Sequence, residues 1–119
     1  MGQIRDLDRM RELLIYIKFE DDLPMLLEVD NNHDRYQYYL MRDGGLLEFE
    51  IYPIGSNQIC YTNIKITNKG HYFIDNIINE KDYEGLKKIA TKGGKKLAEL
   101  PFDLIYKISK KYMEQQFGL

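Results

Sequence analysis

The sequence predicts one α+β domain, and three observations predict it. Apolar residues recur at steps of three and four in several separate stretches, the period of an amphipathic helix. Two neighbouring stretches instead alternate with period two around a Pro/Gly turn, the mark of a β-hairpin. The 119 residues are 44% hydrophobic and 30% charged, a globular balance with room for one core and too short for two comfortable domains.

The first helix follows from Ile4, Leu7, Met10, Leu13, Leu14 and Ile17, one apolar stripe with Asp6 and Asp8 near its start, where carboxylates suit the helix dipole. Glu20-Asp21-Asp22-Leu23-Pro24 ends it, since Pro24 cannot continue a helix. Met25–Val29 reads as a short strand or a single helical turn, and periodicity leaves both open. Asp30–Asp34 is a turn holding an N-cap for a second helix over residues 34–43, with Tyr36, Tyr39 and Leu40 on one side. Gly44-Gly45 stops it. Leu46–Tyr52 and Ile59–Ile66 are the strands of a hairpin, turned by Pro53, Gly55, Ser56 and Asn57. Thr67 caps a third helix whose inward stripe is Phe73, Ile74, Ile77 and Ile78. After a short break at Asn79–Asp82, Tyr83, Leu86, Ile89 and Ala90 continue a helical face to Gly93-Gly94. A lysine-rich connector, Lys92 to Lys96, leads to a last helix with Pro101 at its first position. Phe102, Ile105, Ile108 and Tyr112 face inward from it.

Helix, short strand or turn, helix, β-hairpin wing, helix is the winged-helix order. Residues 1–80 form this winged-helix-like core, and residues 81–119 form a helical C-terminal extension packed on it. The second helix stands in the recognition position, and residues 46–66 are the wing.

Four segments carry a resemblance. They are Ile66-Thr67-Asn68-Lys69-Gly70-His71-Tyr72-Phe73-Ile74-Asp75, Leu100-Pro101-Phe102-Asp103 with Phe117-Gly118-Leu119, Ile4-Arg5-Asp6-Leu7-Asp8, and Gly44-Gly45-Leu46. Together they resemble a family of small bacterial and phage proteins, the domain of unknown function twenty-five thirteen. The chain departs from that pattern at Tyr83, where the family usually has Trp, and near Ile78, where it has Arg. The resemblance implies a winged-helix-like fold and frequent occurrence in phages and prophages, and it implies no activity.

Catalytic and metal chemistry find no companion groups. Cys60, His33 and His71 are too few and too scattered for a zinc site. Cys60 falls mid-strand, and Ser56 and Ser109 lack the setting of a nucleophile. Gly93-Gly94-Lys95-Lys96 lacks the strand that precedes a phosphate loop. His71, one residue past Gly70, reads as a packing residue. The expectation is therefore a protein that is not an enzyme and takes no cofactor and no metal. One cysteine excludes an internal disulfide, which fits a reducing bacterial cytoplasm. Charges at Arg5, Asp6, Asp8 and Arg9 interrupt any leader-like apolar run, and no apolar stretch reaches membrane-spanning length.

Charge and aromatic content frame the function. Residues 1–80 carry 8 Lys/Arg against 14 Asp/Glu, whereas residues 81–119 carry 9 against 5. The chain has ten Tyr and no Trp. An acidic, Tyr-rich face built from Arg35, Tyr36, Tyr38, Tyr39, Arg42, Glu48 and Glu50 is expected to bind a protein, a host nuclease or defence complex being the partner class that phage association suggests. The alternative is a winged-helix transcriptional regulator reading DNA through Arg35, Gln37 and Arg42, which Asp34, Asp43, Glu48 and Glu50 oppose electrostatically. Lys92, Lys95 and Lys96 are the expected phosphate contacts if nucleic acid is bound. No membrane is expected as a partner, and the chain is expected to be a monomer or a homodimer.

Overall fold

The computed structural model describes residues 3–56 and 58–118; Asn57 of the hairpin turn and Leu119 of the C-terminal segment lie outside them. The described residues form α1 (Leu7–Phe19), β1 (Leu27–Glu28), α2 (Asn32–Asp43), β2 (Leu47–Pro53), β3 (Ile59–Ile66), α3 (Asn68–Ile77), α4 (Glu80–Lys92) and α5 (Phe102–Gln116), with a short 3-10 turn at Leu97–Glu99. The three strands make one antiparallel sheet in the order β1-β3-β2. This α+β architecture, mostly helical, is compatible with a winged-helix-like arrangement.

Asp6 caps α1, its side chain accepting from Arg9 N at 3.0 Å, and the predicted stripe from Leu7 to Ile17 is buried. Ile4 precedes the helix and is 66% exposed, so it leaves the stripe. The ambiguous 25–29 segment resolves as a two-residue strand, with Leu27 opposite Tyr61 and Glu28 opposite Cys60. Pairing to β3 supplies what local periodicity cannot.

The wing contains a parity switch. Residues opposite one another across an antiparallel pair share a face, and side chains alternate faces along each strand. Ile51 pairs with Tyr61 and Leu47 with Ile66. Leu47, Phe49 and Ile51 share one parity on β2, but Tyr61 and Ile66 have opposite parity on β3. A bulge between Glu48 and Glu50 reconciles them by inserting one extra β3 residue. Asn63 takes it, at φ 53°, in the left-handed region that Asn tolerates better than most residues. Its Nδ2 donates to Glu50 Oε2 at 3.2 Å. Tyr61, Ile64 and Ile66 thereby all turn towards the core.

α2 starts at Asn32, two residues before its expected start, because Asn31 caps it and accepts from Asp34 N at 2.7 Å. Its inward face is Asp34, Gln37, Tyr38 and Met41, not the Tyr36–Tyr39–Leu40 side. Two buried polar groups select that face. Arg9 of α1 forks onto Asp34, Nε to Oδ1 at 2.8 Å and Nη2 to Oδ2 at 2.9 Å. Gln37, 0% exposed, accepts from Asp6 N and donates to the carbonyls of Ile4 and His33. Tyr38 then meets Phe49 and Tyr61 edge-on at ring-centroid distances of 6.0 and 5.0 Å, favourable geometry for aromatic pairs.

Thr67 joins wing to α3. Its Oγ1 accepts from Gly70 N at 2.9 Å and donates to Gly45 O at 2.6 Å. A Cβ on Gly70 would stand 2.1 Å from Leu46 O, so only glycine fits there. Arg11 donates to the carbonyls of Ile77 and Ile78, satisfying the end of α3, and Asn79 caps α4. Pro101 occupies the cap position of α5 rather than its first turn; an extended backbone there suits proline equally well. Ile89 is exposed, unlike the rest of its predicted stripe. Leu86, Ala90, Leu97 and Ile105 belong to the same buried cluster as Leu14, Met41 and Ile74.

Gly70→Ala is expected to lower the urea-unfolding free energy by about 2–3 kcal/mol through overpacking; an unchanged midpoint would refute the close approach to Leu46. The Arg9 guanidinium holds the Asp34 carboxyl below the usual carboxylate range. A depressed carboxyl contributes stability above its unfolded value of about 3.9 and loses it as pH falls through the lower folded value. Asp34→Asn should cost ~1–3 kcal/mol at neutral pH and flatten the decline of stability in acid. Parallel acid profiles for the two proteins would rule this out.

Candidate functional site

The site has to be sought among charged surfaces. Among the described residues no group of His, Cys, Asp and Glu is placed to hold a metal ion, and no helix is long and apolar enough to cross a membrane. His71 lies in the first turn of α3 and is half-buried, its backbone N–H bonded to Thr67 O. Cys60 is buried on the central strand.

A cleft of about 470 Å³ opens between the start of α1, α2 and α4. Most of its charges are spent on one another, although Arg5 and Lys96 also line it. Asp8 accepts from Tyr83 Oη at 2.6 Å and pairs with Lys87 at 2.7 Å. Lys87 and Tyr83 together hold the Asp8 carboxyl low. Burial, with Asp8 as its bond partner, pushes the Tyr83 hydroxyl up. Asp6 meets His33 Nε2 at 2.8 Å. The Tyr83 ring is met by Arg11 and Lys87, 5.0 and 4.7 Å from its centroid. This cleft joins helices.

The outer face of the sheet is different. Phe49 and Tyr61 point to the side that α2 covers, so alternation sends Glu48, Glu50 and Tyr52 to the opposite side. Cys60 of the central strand stands there between Glu28 and Tyr52 through the register Glu28–Cys60–Tyr52. Glu28, Glu48, Glu50 and Tyr52 are all exposed, Tyr52 at 52%. Lys65, opposite Glu48, is the one cation at these alternating positions. Asp30 follows at the margin and pushes the Glu28 carboxyl up, first by a side-chain hydrogen bond and then by its like charge. From this margin a second cleft, of about 450 Å³, runs between α1, β1 and α2 past Glu12, Tyr16, Glu28 and Asp30 to the Arg9–Asp34 pair.

The structure divides the expected Tyr-rich acidic face. Glu48 and Glu50 lie on the outer sheet face. Tyr36 and Tyr39 lie on the far side of α2, stacked on each other at 6.1 Å and 22°. Arg42 sits between the two, over the Phe49 ring at 5.0 Å. Arg35 donates from Nε to Val29 O at 2.7 Å, which ties α2 to the segment after β1. Tyr38 is corrected outright: at 2% exposure it is core and cannot contact a partner. Gln37, offered for base reading, is equally buried and fully bonded. Lys92, Lys95 and Lys96 are exposed around the turn after α4.

Sequence reasoning missed Glu28 and Asp30, which join the acidic face only through the register of a two-residue strand. The signal available was the local run Glu28-Val29-Asp30, where two acids flank one apolar residue.

Tyr38→Ala should cost ~3–5 kcal/mol, as for other large core truncations. Tyr39→Ala should stay within about 0.5 kcal/mol of wild type. Equal effects on thermal unfolding would contradict the assignment of faces.

Comparison with known families adds one finding. The family model described as Hypothetical protein (DUF2513) matches residues 4–96. No curated protein and no solved structure matches the chain significantly.

Proposed function

The chain belongs to the DUF2513 family, and we propose that it is a non-catalytic recognition protein whose outer sheet face binds a basic surface of a partner protein. The observation that carries this reading is the gathering of Glu28, Glu48 and Glu50 on one exposed face with Asp30 at its edge and Lys65 alone to offset them. Crowded like charges are unfavourable in the free protein, and a cationic partner relieves them. Tyr52 adds a rigid side chain of the kind that anchors interfaces. The cleft past Glu28 and Asp30 gives a Lys or Arg of the partner somewhere to enter beside the face.

Surfaces that hold nucleic acid are basic, so a nuclease or a defence complex is a partner of fitting charge, in keeping with a phage-associated role. Base reading by α2 is the weaker alternative. Gln37 is buried, Arg35 is held to Val29, and the wing that would flank DNA carries acids.

The test is affinity purification from host cells after nuclease treatment, followed by measured affinities for the captured partner. Glu48→Lys with Glu50→Lys should weaken binding by at least about tenfold, or ~1.4 kcal/mol, and reduce its salt sensitivity. The reading fails if that pair binds like wild type while Tyr36→Ala, Tyr39→Ala and Arg42→Ala abolish capture, which would put the contact on α2.

A further inference from the structure

A second charged surface lies on the two C-terminal helices, and its sign is opposite. Gly85 of α4 sits against α5: a Cβ there would stand 2.6 Å from Tyr112 Oη. Lys88 is one turn beyond Gly85, and Lys111 precedes Tyr112 on α5, turned about 100° from it towards the outside of the helix. Lys92 follows Lys88 by four residues and Lys107 precedes Lys111 by four, so each helix repeats its lysine on one side, about 6 Å apart. All four are exposed.

Few acids lie near them in sequence. Residues 85–98 contain no Asp or Glu, and neither do residues 104–113. Of the four acids that bound these stretches, Glu84 pairs with Lys87 at 3.4 Å and Asp103 with Lys69 at 2.9 Å, while Glu99 and Glu114 stand at the far ends. Among the described residues no carboxylate pairs with Lys88, Lys92, Lys107 or Lys111. Lys95 and Lys96 extend the same sign past the end of α4.

We propose that the α4–α5 seam is a docking surface for the phosphate backbone of nucleic acid, with Lys88, Lys92, Lys107 and Lys111 as its contacts. Unpaired lysines repeated along two helices match a linear polyanion. Lysine is a point charge on a flexible stem, so it contacts phosphates without the fixed fork that base recognition uses. Binding is therefore insensitive to sequence. An anionic membrane fits less well, because an interfacial helix needs a broad apolar face, and here Ile89 and Leu104 are the exposed aliphatic residues of the two helices. The surface is independent of the acidic sheet face and does not rest on the protein partner proposed for it.

The experiment is fluorescence anisotropy of a labelled mixed-sequence duplex titrated at several salt concentrations. The wild-type logarithmic affinity should fall linearly with log salt. Replacing all four lysines by Gln should flatten that slope by about 3–4 units, near one unit per lost phosphate contact, with an unchanged urea midpoint showing that the variant is folded. The four-fold Lys→Arg variant should keep the slope, and Arg42→Gln with Lys65→Gln should leave it as in wild type. The inference is overturned by absence of salt-dependent duplex binding, by an unchanged slope in the Gln variant, or by a slope that moves instead with Arg42 and Lys65. Binding to phosphatidylserine–phosphatidylcholine vesicles without duplex binding overturns it too.

Discussion

One residue in the wing decides how the surface of this protein is divided. Asn63 supplies the extra position of the β3 bulge, and with it Tyr61 and Ile66 both face the core despite their opposite parity. Without that insertion, one end of β3 would turn its apolar side chains to water, because a one-residue slip exchanges the two faces of a strand. With it, the inner face closes over the Tyr38–Phe49–Tyr61 aromatic cluster. The outer face is left to Glu28, Glu48, Glu50 and Tyr52. Packing inside and charge outside are thus two consequences of one backbone feature.

The helices are fixed to one another by polar contacts that also consume chemistry. Arg9, Asp34, Gln37, Asp8, Tyr83 and Lys87 would look like a functional constellation if only their types were considered. Their geometry shows five of them bonded to another helix and Gln37 to the segment before α1, with Asp34 and Gln37 buried. Such groups are costly to bury unpaired, and their pairing holds α1, α2 and α4 in one arrangement. What remains unsatisfied is electrostatic and superficial: negative on the sheet, positive along α4 and α5. The molecule is polarised along its fold much as its charge is along its sequence.

Most of the fold was legible because its signals are local. The cap at Thr67, the capping turn at Asp30–Asp34, the Gly44-Gly45 and Gly93-Gly94 stops, and the alternation in the hairpin all act within a few residues, although the caps at Asp6 and Asn79 were not read as such. The inward face of α2 was not legible. Its hydrophobic pattern favours Tyr36, Tyr39 and Leu40, whereas Arg9 and the Ile4–Asp6 strap, distant in sequence, select Asp34 and Gln37 for burial. The same non-local cause misplaced Tyr38 on the surface and Gln37 among base-reading residues. Glu48 and Glu50 were found from their alternation, but Glu28 joined them only through the pairing of β1 with β3. The lysines of α5 were counted in the basic third of the chain, but the packing of their helix on α4, at Gly85 against Tyr112, was not legible.

The central question is whether the outer sheet face is open in the free protein and covered by the protein partner proposed for it. Carbodiimide labelling of carboxylates, read by mass spectrometry with and without that partner, measures this directly. Glu28, Glu48 and Glu50 should label readily in the free chain and become protected together in the complex, while Glu99 on the opposite-signed half labels equally in both. Protection confined to Glu99 and Asp103, with Glu48 and Glu50 still reactive in the complex, would contradict it.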